Sequence, residues 1–208
     1  MAATYIIIAV TALTSILAFN NRNIFDQFTF DPYRIHHLNQ VYRFITHGLI
    51  HADWVHLTVN MFVLLSFGVM VEGSFVQIFG TGKGEYYYII LYVGGILLSS
   101  SPSYGKYKDE PSYSAVGASG AISAVVFASI LISPLSGIRF IFIPFDIPAF
   151  VFGILYLAYS AYMSKKGADN IGHDAHFWGA LFGLAFTILL KPALFNGFIY
   201  QISTFTIG

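Results

Sequence analysis

Six apolar stretches divide this chain, and each is close to the length that a helix needs to cross a lipid bilayer. A spanning helix takes roughly 17 to 25 residues, because the hydrocarbon requires every backbone polar group to be satisfied internally. Hydrophobic residues make up 56% of the sequence and charged residues only 10%, which excludes an ordinary soluble domain. The sequence therefore predicts an all-α membrane protein with six transmembrane helices, at residues 4–19, 54–71, 86–100, 115–132, 147–163 and 175–190.

The connections between these stretches are short, so we expect residues 1–208 to form a single membrane domain. The first stretch is interpreted as a retained anchor and not as a signal peptide, because no basic segment precedes it and further spans follow. The connection at residues 20–53 differs from the others. It is long, aromatic and rich in His and Arg, and is predicted to lie partly in the membrane interface.

Charge and cysteine content exclude several partners and chemistries. Ten basic and ten acidic residues balance without a polybasic run, so nucleic acid is not an expected partner. The absence of cysteine excludes disulfides, thiolate metal sites and a cysteine nucleophile. No H-E-x-x-H helix occurs, and no pair of aspartates falls within the predicted spans. We therefore expect neither a metal nor another cofactor.

Four polar side chains stand out because burying such groups in a membrane costs several kcal/mol unless they are paired. They are His56 and Asn60 in the second predicted span, Ser119 in the fourth and His176 in the sixth. Alternate spans run in the same direction, and each polar group lies within about two turns of its span's start. All four are therefore expected at similar depth near one membrane face.

Each of these residues taken singly has a structural alternative, such as interhelical hydrogen bonding or close packing of small residues. Together they form a complete acyl-transfer set. A serine hydroxyl needs an imidazole within hydrogen-bond reach, and His176 can serve Ser119 in this way. His56, Asn60 and the Ser119 amide can donate to an oxyanion. With no carboxylate at this depth, helix packing is expected to orient the imidazole.

Three other histidines have different expected roles. His47 and His51, four residues apart, precede the second span and are expected to brace the first connection, although a haem-binding protein stays open as an alternative. His173 lies before the sixth span beside Asp174, where we expect a solvated surface or lid residue. His176 is therefore favoured over His173 as the base.

Residues 43–183 resemble the rhomboid family of intramembrane serine proteases through three short motifs in the right order. The end of the second predicted helix, with Glu72 before a Gly-Thr-Gly-Lys turn, also resembles that family. The motifs are residues 43–51 followed by His56-x-x-x-Asn60, then Gly117-Ala118-Ser119-Gly120, and His176-x-x-Gly179-x-x-x-Gly183.

The resemblance implies a six-transmembrane-helix rhomboid-like bundle with Ser119 as nucleophile and His176 as general base and then acid. It implies His56 and Asn60 as oxyanion donors, transmembrane segments of other proteins as substrates, and the lipid bilayer as surroundings. It also implies a multi-pass protein of a cell membrane with both termini in the cytoplasm. The oligomeric state stays open, and a catalytically silent rhomboid-like protein that binds membrane clients is the alternative.

Two features depart from this pattern. Bacterial members of the family often carry an aromatic residue one turn after the nucleophile, whereas this chain has Ser123, so Phe177 or Trp178 is expected to hold the His176 ring. The basic residues also favour cytoplasmic odd-numbered connections, opposite to the implied orientation. The odd connections contain Arg22, Arg34, Arg43, Lys106, Lys108, Lys165 and Lys166, and the others contain Lys83, Arg139 and Lys191.

Overall fold

The computed structural model describes residues 2–139, 144–167 and 171–205, which are predominantly helical. A 3-10 helix, His47–Leu49, precedes α5, and two short antiparallel strands, β1 Gly137–Ile138 and β2 Ile147–Pro148, precede α8. The α-helices in the described ranges are α1 Ala3–Asn20, α2 Arg22–Phe28, α3 Pro32–Leu38, α4 Arg43–Thr46, α5 Trp54–Phe79, α6 Lys83–Tyr107, α7 Ser119–Ile132, α8 Ala149–Lys166, α9 His173–Leu190 and α10 Ala193–Ser203.

Six long helices, α1 and α5 to α9, cover the six stretches predicted as spans, although several boundaries differ. The helices α5 and α6 continue well beyond residues 71 and 100, whereas α7 begins four residues later than predicted. By length and hydropathy, α1 and α5 can cross a membrane, and α9 with α10 passes the same test as a pair bent by 112°. A helical membrane architecture is thus confirmed, while six membrane crossings stay a prediction.

The helix α7 lies at the centre of the bundle, since every residue from Gly120 to Leu131 is buried. It packs against α5, α6 and α9. Close approach to α6 depends on Gly95, where an added methyl group would lie 2.8 Å from the Cα of Ala121. A helix surrounded on most sides can be uniformly apolar, which is the pattern of α7.

The start of α1 is fixed by a buried carboxylate of α5. Glu72 is fully buried and accepts hydrogen bonds from the backbone amides of Ala3 and Thr4, each at 3.0 Å. The Thr4 hydroxyl also donates to Glu72 at 2.7 Å. The first amides of a helix lack partners within it and favour a negative charge, so Glu72 caps α1.

The predicted interfacial connection folds into α2, α3, α4 and the 3-10 helix, and a buried arginine holds it together. Arg43 is only 1% exposed and donates to the carbonyls of Asp26 and Thr29, each at 2.7 Å. Its Nε donates to Gln40 at 2.7 Å. Arg43 is buried, so it should not be counted with the surface charges whose distribution predicts membrane orientation.

Candidate active site

Ser119 is the first residue of α7, and the segment before it is not helical. Residue 115 forms a bridge with Phe30, with backbone hydrogen bonds of 2.9 and 3.0 Å in the two directions. The Gly117 amide donates to the His47 carbonyl at 2.9 Å, and Gly117 has φ +118°, a conformation that favours glycine. The folded connection therefore sets where α7 starts and places Ser119 at its amino end.

Glycines bring α7 and α9 into backbone contact beside Ser119. A methyl group added to Gly179 would collide with the carbonyl of Gly120, and its distance to the carbonyl carbon would be 2.8 Å. One turn further on, a methyl group added to Gly183 would lie 2.6 Å from the Cα of Ala124. His176 lies one turn before Gly179. Ser119 and His176 therefore occupy the first turns of two closely packed helices.

The His176 ring stacks on a tyrosine of α8. The ring centroids of Tyr156 and His176 are 6.1 Å apart and the ring planes differ by 28°. Phe177 and Trp178 instead contact each other at 5.6 Å, and Trp178 is 43% exposed. The expectation that one of these two neighbours holds the His176 ring was wrong. Each step along a helix rotates the side chain by about 100°, so Phe177 points about 100° and Trp178 about 200° away from His176.

His56 lies beside the turn that leads to Ser119. A methyl group added to Gly117 would lie 2.7 Å from Cε1 and 3.0 Å from Nε2 of His56, so the half-buried imidazole packs directly on this glycine. The Asp53 carboxylate caps α5 by accepting from the His56 amide at 2.8 Å. The cap fixes the first turn of α5, and with it the position of the imidazole.

Asn60 lies one turn after His56 and is 7% exposed. Its side-chain amide donates one hydrogen bond to the His56 carbonyl at 2.9 Å, within the same helix. An asparagine amide has two hydrogens, so one remains for another acceptor. The four residues selected from the sequence thus lie within the first two turns of α5, α7 and α9.

His47 and His51 brace the connection before α5, as predicted. The Nδ1 of His47 bonds the Arg43 carbonyl at 2.9 Å, and burial lowers the pKa of His47 to about 4. His51 is fully buried, and its Nδ1 lies 3.0 Å from the Ser15 hydroxyl. Burial and the neighbouring charge of His56 lower the pKa of His51 to about 3, although the Asp53 carboxylate acts in the opposite direction. Both rings are thus neutral structural groups near neutral pH.

The tautomer of His51 follows from the bonds of Ser15. The Ser15 hydroxyl has one proton, which it donates to the Leu49 carbonyl at 3.0 Å. The Nδ1 of His51 must therefore donate its own proton to Ser15, which leaves Nε2 as an acceptor. The His51 ring also contacts His56, edge to face, at 4.9 Å between centroids. His51 thus supports the His56 ring from the side of α1.

His173 does not lie on the surface, which corrects the sequence prediction. It is the first residue of α9 and only 5% exposed, with its ring 5.4 Å from Tyr159 and 5.9 Å from His176. The next residue, Asp174, accepts a hydrogen bond from Ser164 of α8. Because α8 packs over the start of α9, the His173 ring is covered although it belongs to the first turn.

A group of side chains able to bind a metal ion occurs elsewhere, on the surface. The ligand atoms of His36, His37 and Asp109 lie within 4.8 Å of one another, and all three residues are exposed. His37 Nε2 is 3.1 Å from the Asp109 carboxylate, and His36 Nδ1 is 3.2 Å from the Tyr104 hydroxyl. These contacts tie α3 to the end of α6 and do not involve the residues around Ser119.

Comparison with known proteins gives two consistent results. A mitochondrial relative, "RHOMBOID-like protein 12" of Arabidopsis thaliana, is 28% identical over 151 residues, which cover 68% of this chain and 44% of the relative. The chain thus spans less than half the length of that relative. The family model for the Rhomboid domain matches residues 38–193, a range that includes every motif residue described above. The chain therefore belongs to the rhomboid family, whose members are embedded in membranes.

Proposed function

We propose that this protein is an intramembrane serine endopeptidase that cleaves transmembrane segments of membrane proteins with a Ser119 and His176 dyad. The observation that carries the proposal is the packing of α7 on α9, where Gly120 and Gly179 meet in backbone contact beside Ser119 and His176. A hydroxyl at a helix start and an imidazole on the adjoining helix form the minimal pair for nucleophilic catalysis.

In the proposed reaction, Ser119 Oγ attacks the carbonyl carbon of the scissile peptide bond while His176 accepts the hydroxyl proton. The tetrahedral intermediate collapses, the carbon–nitrogen bond breaks, and His176 returns the proton to the leaving amine. Water then attacks the acyl ester with His176 again as base. This step releases the new carboxyl end and restores the Ser119 hydroxyl.

The developing oxyanion would be met by His56, by the second amide hydrogen of Asn60 and by the backbone amide of Ser119. The packing of His56 on Gly117 and the position of Ser119 at the amino end of α7 support this assignment. Helix amino ends carry unpaired amides and a partial positive charge. Preorganised donors of this kind are commonly the largest single contribution to acyl-transfer catalysis.

The helix lengths suit a site within the membrane. The 14 residues of α7 give a helix of about 21 Å, which is shorter than the roughly 30 Å of a bilayer's hydrocarbon core. If the carboxyl end of α7 reaches one membrane face, Ser119 lies below the other. We infer six membrane crossings, formed by α1 and α5 to α9. Both termini would then lie on the cytoplasmic side of a cell membrane. Protease protection of tagged termini tests this orientation.

The direct test is incubation of the purified protein with a single-span test substrate in detergent. We expect cleavage by the wild type and none by Ser119→Ala, because removing the nucleophile leaves no acyl acceptor. A chelator should leave the rate unchanged, since no step uses a metal. Ser129→Ala is the matched control, because Ser129 is a buried serine of the same helix that bonds the Val126 carbonyl.

Cleavage that persists in Ser119→Ala would refute the proposed nucleophile. If wild type and Ser119→Ala both bind the substrate without cutting it, the protein is a client-binding member of the family and the protease proposal fails.

A further inference from the structure

The ring that stacks on His176 is attached to the nucleophile's own helix through one serine. Tyr156 Oη lies 2.6 Å from Ser123 Oγ, and Ser123 Oγ donates to the Ser119 carbonyl at 2.9 Å. Ser123 has a single hydroxyl proton, which the Ser119 carbonyl takes. Tyr156 must therefore donate to Ser123. The resulting chain runs from the Tyr156 hydroxyl to Ser123 and on to the carbonyl of Ser119.

We propose that Tyr156 is the positioning residue for His176, and that Ser123 fixes its ring in place. The proposal rests on the proposed function, because it assigns His176 the role of general base. The face of Tyr156 limits the rotation of the imidazole, while its hydroxyl is anchored to the turn that carries Ser119. One tyrosine thus locates both members of the dyad, and Ser123 has the small size and the hydroxyl that this requires.

Tyr156 makes the orientation of His176 depend on a third helix. Tyr156 belongs to α8, and the hydrogen bond from Ser164 to Asp174 joins α8 to the first turn of α9 as well. The orientation of His176 therefore depends on the docking of α8 against α7 and α9.

Two kinds of substitution test this proposal. One removes the hydrogen bond between Tyr156 and Ser123 and keeps the ring, and the other removes the ring. Tyr156→Phe keeps the ring and loses one hydrogen bond, so we expect kcat to fall about fivefold with KM unchanged. Ser123→Ala should lower kcat by about the same factor. The double variant should lose no more than about fivefold, because both changes break the same chain, whereas independent effects would multiply to about 25-fold.

Removing the ring should have a larger effect. Tyr156→Leu removes the aromatic face against which the imidazole stacks, and we expect a loss of about a hundredfold in kcat and in the rate of fluorophosphonate acylation, comparable to other small misplacements of catalytic groups. Tyr162→Phe is the matched control, since Tyr162 lies on the same helix and is 60% exposed. Thermal unfolding of each variant separates these losses from a failure to fold.

The outcomes distinguish this inference from the proposed function. If the wild type neither cleaves nor is acylated, the proposed function fails. If the wild type is active but Tyr156→Leu keeps its kcat, or the Ser123 and Tyr156→Phe effects multiply, the positioning role is overturned while the dyad stands.

Discussion

Asn60 has a limited hydrogen-bonding capacity that bears directly on its proposed role. One of its two amide hydrogens is held by the His56 carbonyl at 2.9 Å, and the side chain is 7% exposed. That bond fixes the rotamer of Asn60 and leaves the second hydrogen in a defined direction. A donor held in this way needs no reorganisation during the reaction, which is the condition for efficient stabilisation of an oxyanion.

Replacement of either proposed donor should slow the reaction without unfolding the protein. We expect Asn60→Ala and His56→Ala each to lose about 2.7 to 4 kcal/mol of transition-state stabilisation, a hundredfold or more in kcat. Ser66→Ala is the control, because Ser66 bonds the carbonyl four residues earlier in α5 but is exposed. A wild-type rate in Asn60→Ala or His56→Ala would show that the residue replaced is only structural.

The sequence could single out some residues of the candidate site and not others, for a physical reason. Ser119, His176, His56 and Asn60 were recognisable because each is a polar group in an apolar helix. Tyr156 gave no such signal, because tyrosine is a common residue near the ends of membrane helices. Its partner Ser123 also lies 33 positions away in the sequence. The actual partner of the His176 ring depends on how α8 docks, which periodicity does not encode.

At the scale of helices, the contact between α7 and α9 is made by backbone. Gly179 meets Gly120 and Gly183 meets Ala124, with no room for a side chain at either glycine. The six long helices were predictable from hydrophobic runs, but the start of α7 was not. Residues 115–118 are small and apolar like the helix that follows, yet residue 115 pairs with Phe30, 85 positions earlier. Such a pairing overrides local helix propensity.

Widening the contact between α7 and α9 should separate the dyad. We expect Gly179→Ala to destabilise the protein by about 1 to 3 kcal/mol and to abolish most cleavage, because the added methyl group collides with the Gly120 carbonyl. Gly105→Ala is the control, since nothing lies within 4 Å of a methyl group at that helical position. Equal thermal stability and activity in the two variants would contradict the close approach. Unfolding temperature and cleavage rate are the measurements.

At the scale of the whole molecule, the segment between α1 and α5 contains three buried polar side chains, which we call the wedge. Arg43, His47 and His51 are all at most 6% exposed, and each is bonded to backbone or to α1. This wedge shapes the turn before Ser119. Its composition suggested an interfacial segment, but the individual contacts could not be predicted, because most of their acceptors are main-chain carbonyls, which every residue offers.

The wedge should make the protein sensitive to acid. Because the folded state lowers the pKa of His47 to about 4 and of His51 to about 3, the unfolded chain binds more protons below about pH 6.5. The free energy of unfolding should be constant above that pH, and each ring should reduce it by about 1.4 kcal/mol per pH unit as the pH falls towards 4. Unfolding measured from pH 7.5 to 4.5 tests this dependence.

The substitution His47→Gln should make that decline shallower, whereas the exposed His36→Gln serves as the surface control. A stability that does not change between pH 6.5 and 4.5 would contradict the burial of both rings.

The central claim is that the arrangement of α7 and α9 activates Ser119 through His176. The most direct measurement is covalent labelling with a fluorophosphonate, followed by mass spectrometry of the labelled peptide. The account predicts one adduct, on Ser119, which is formed by the wild type and by His36→Gln and is lost in His176→Ala. An adduct on another residue, or labelling of Ser119 at an unchanged rate in His176→Ala, would contradict it.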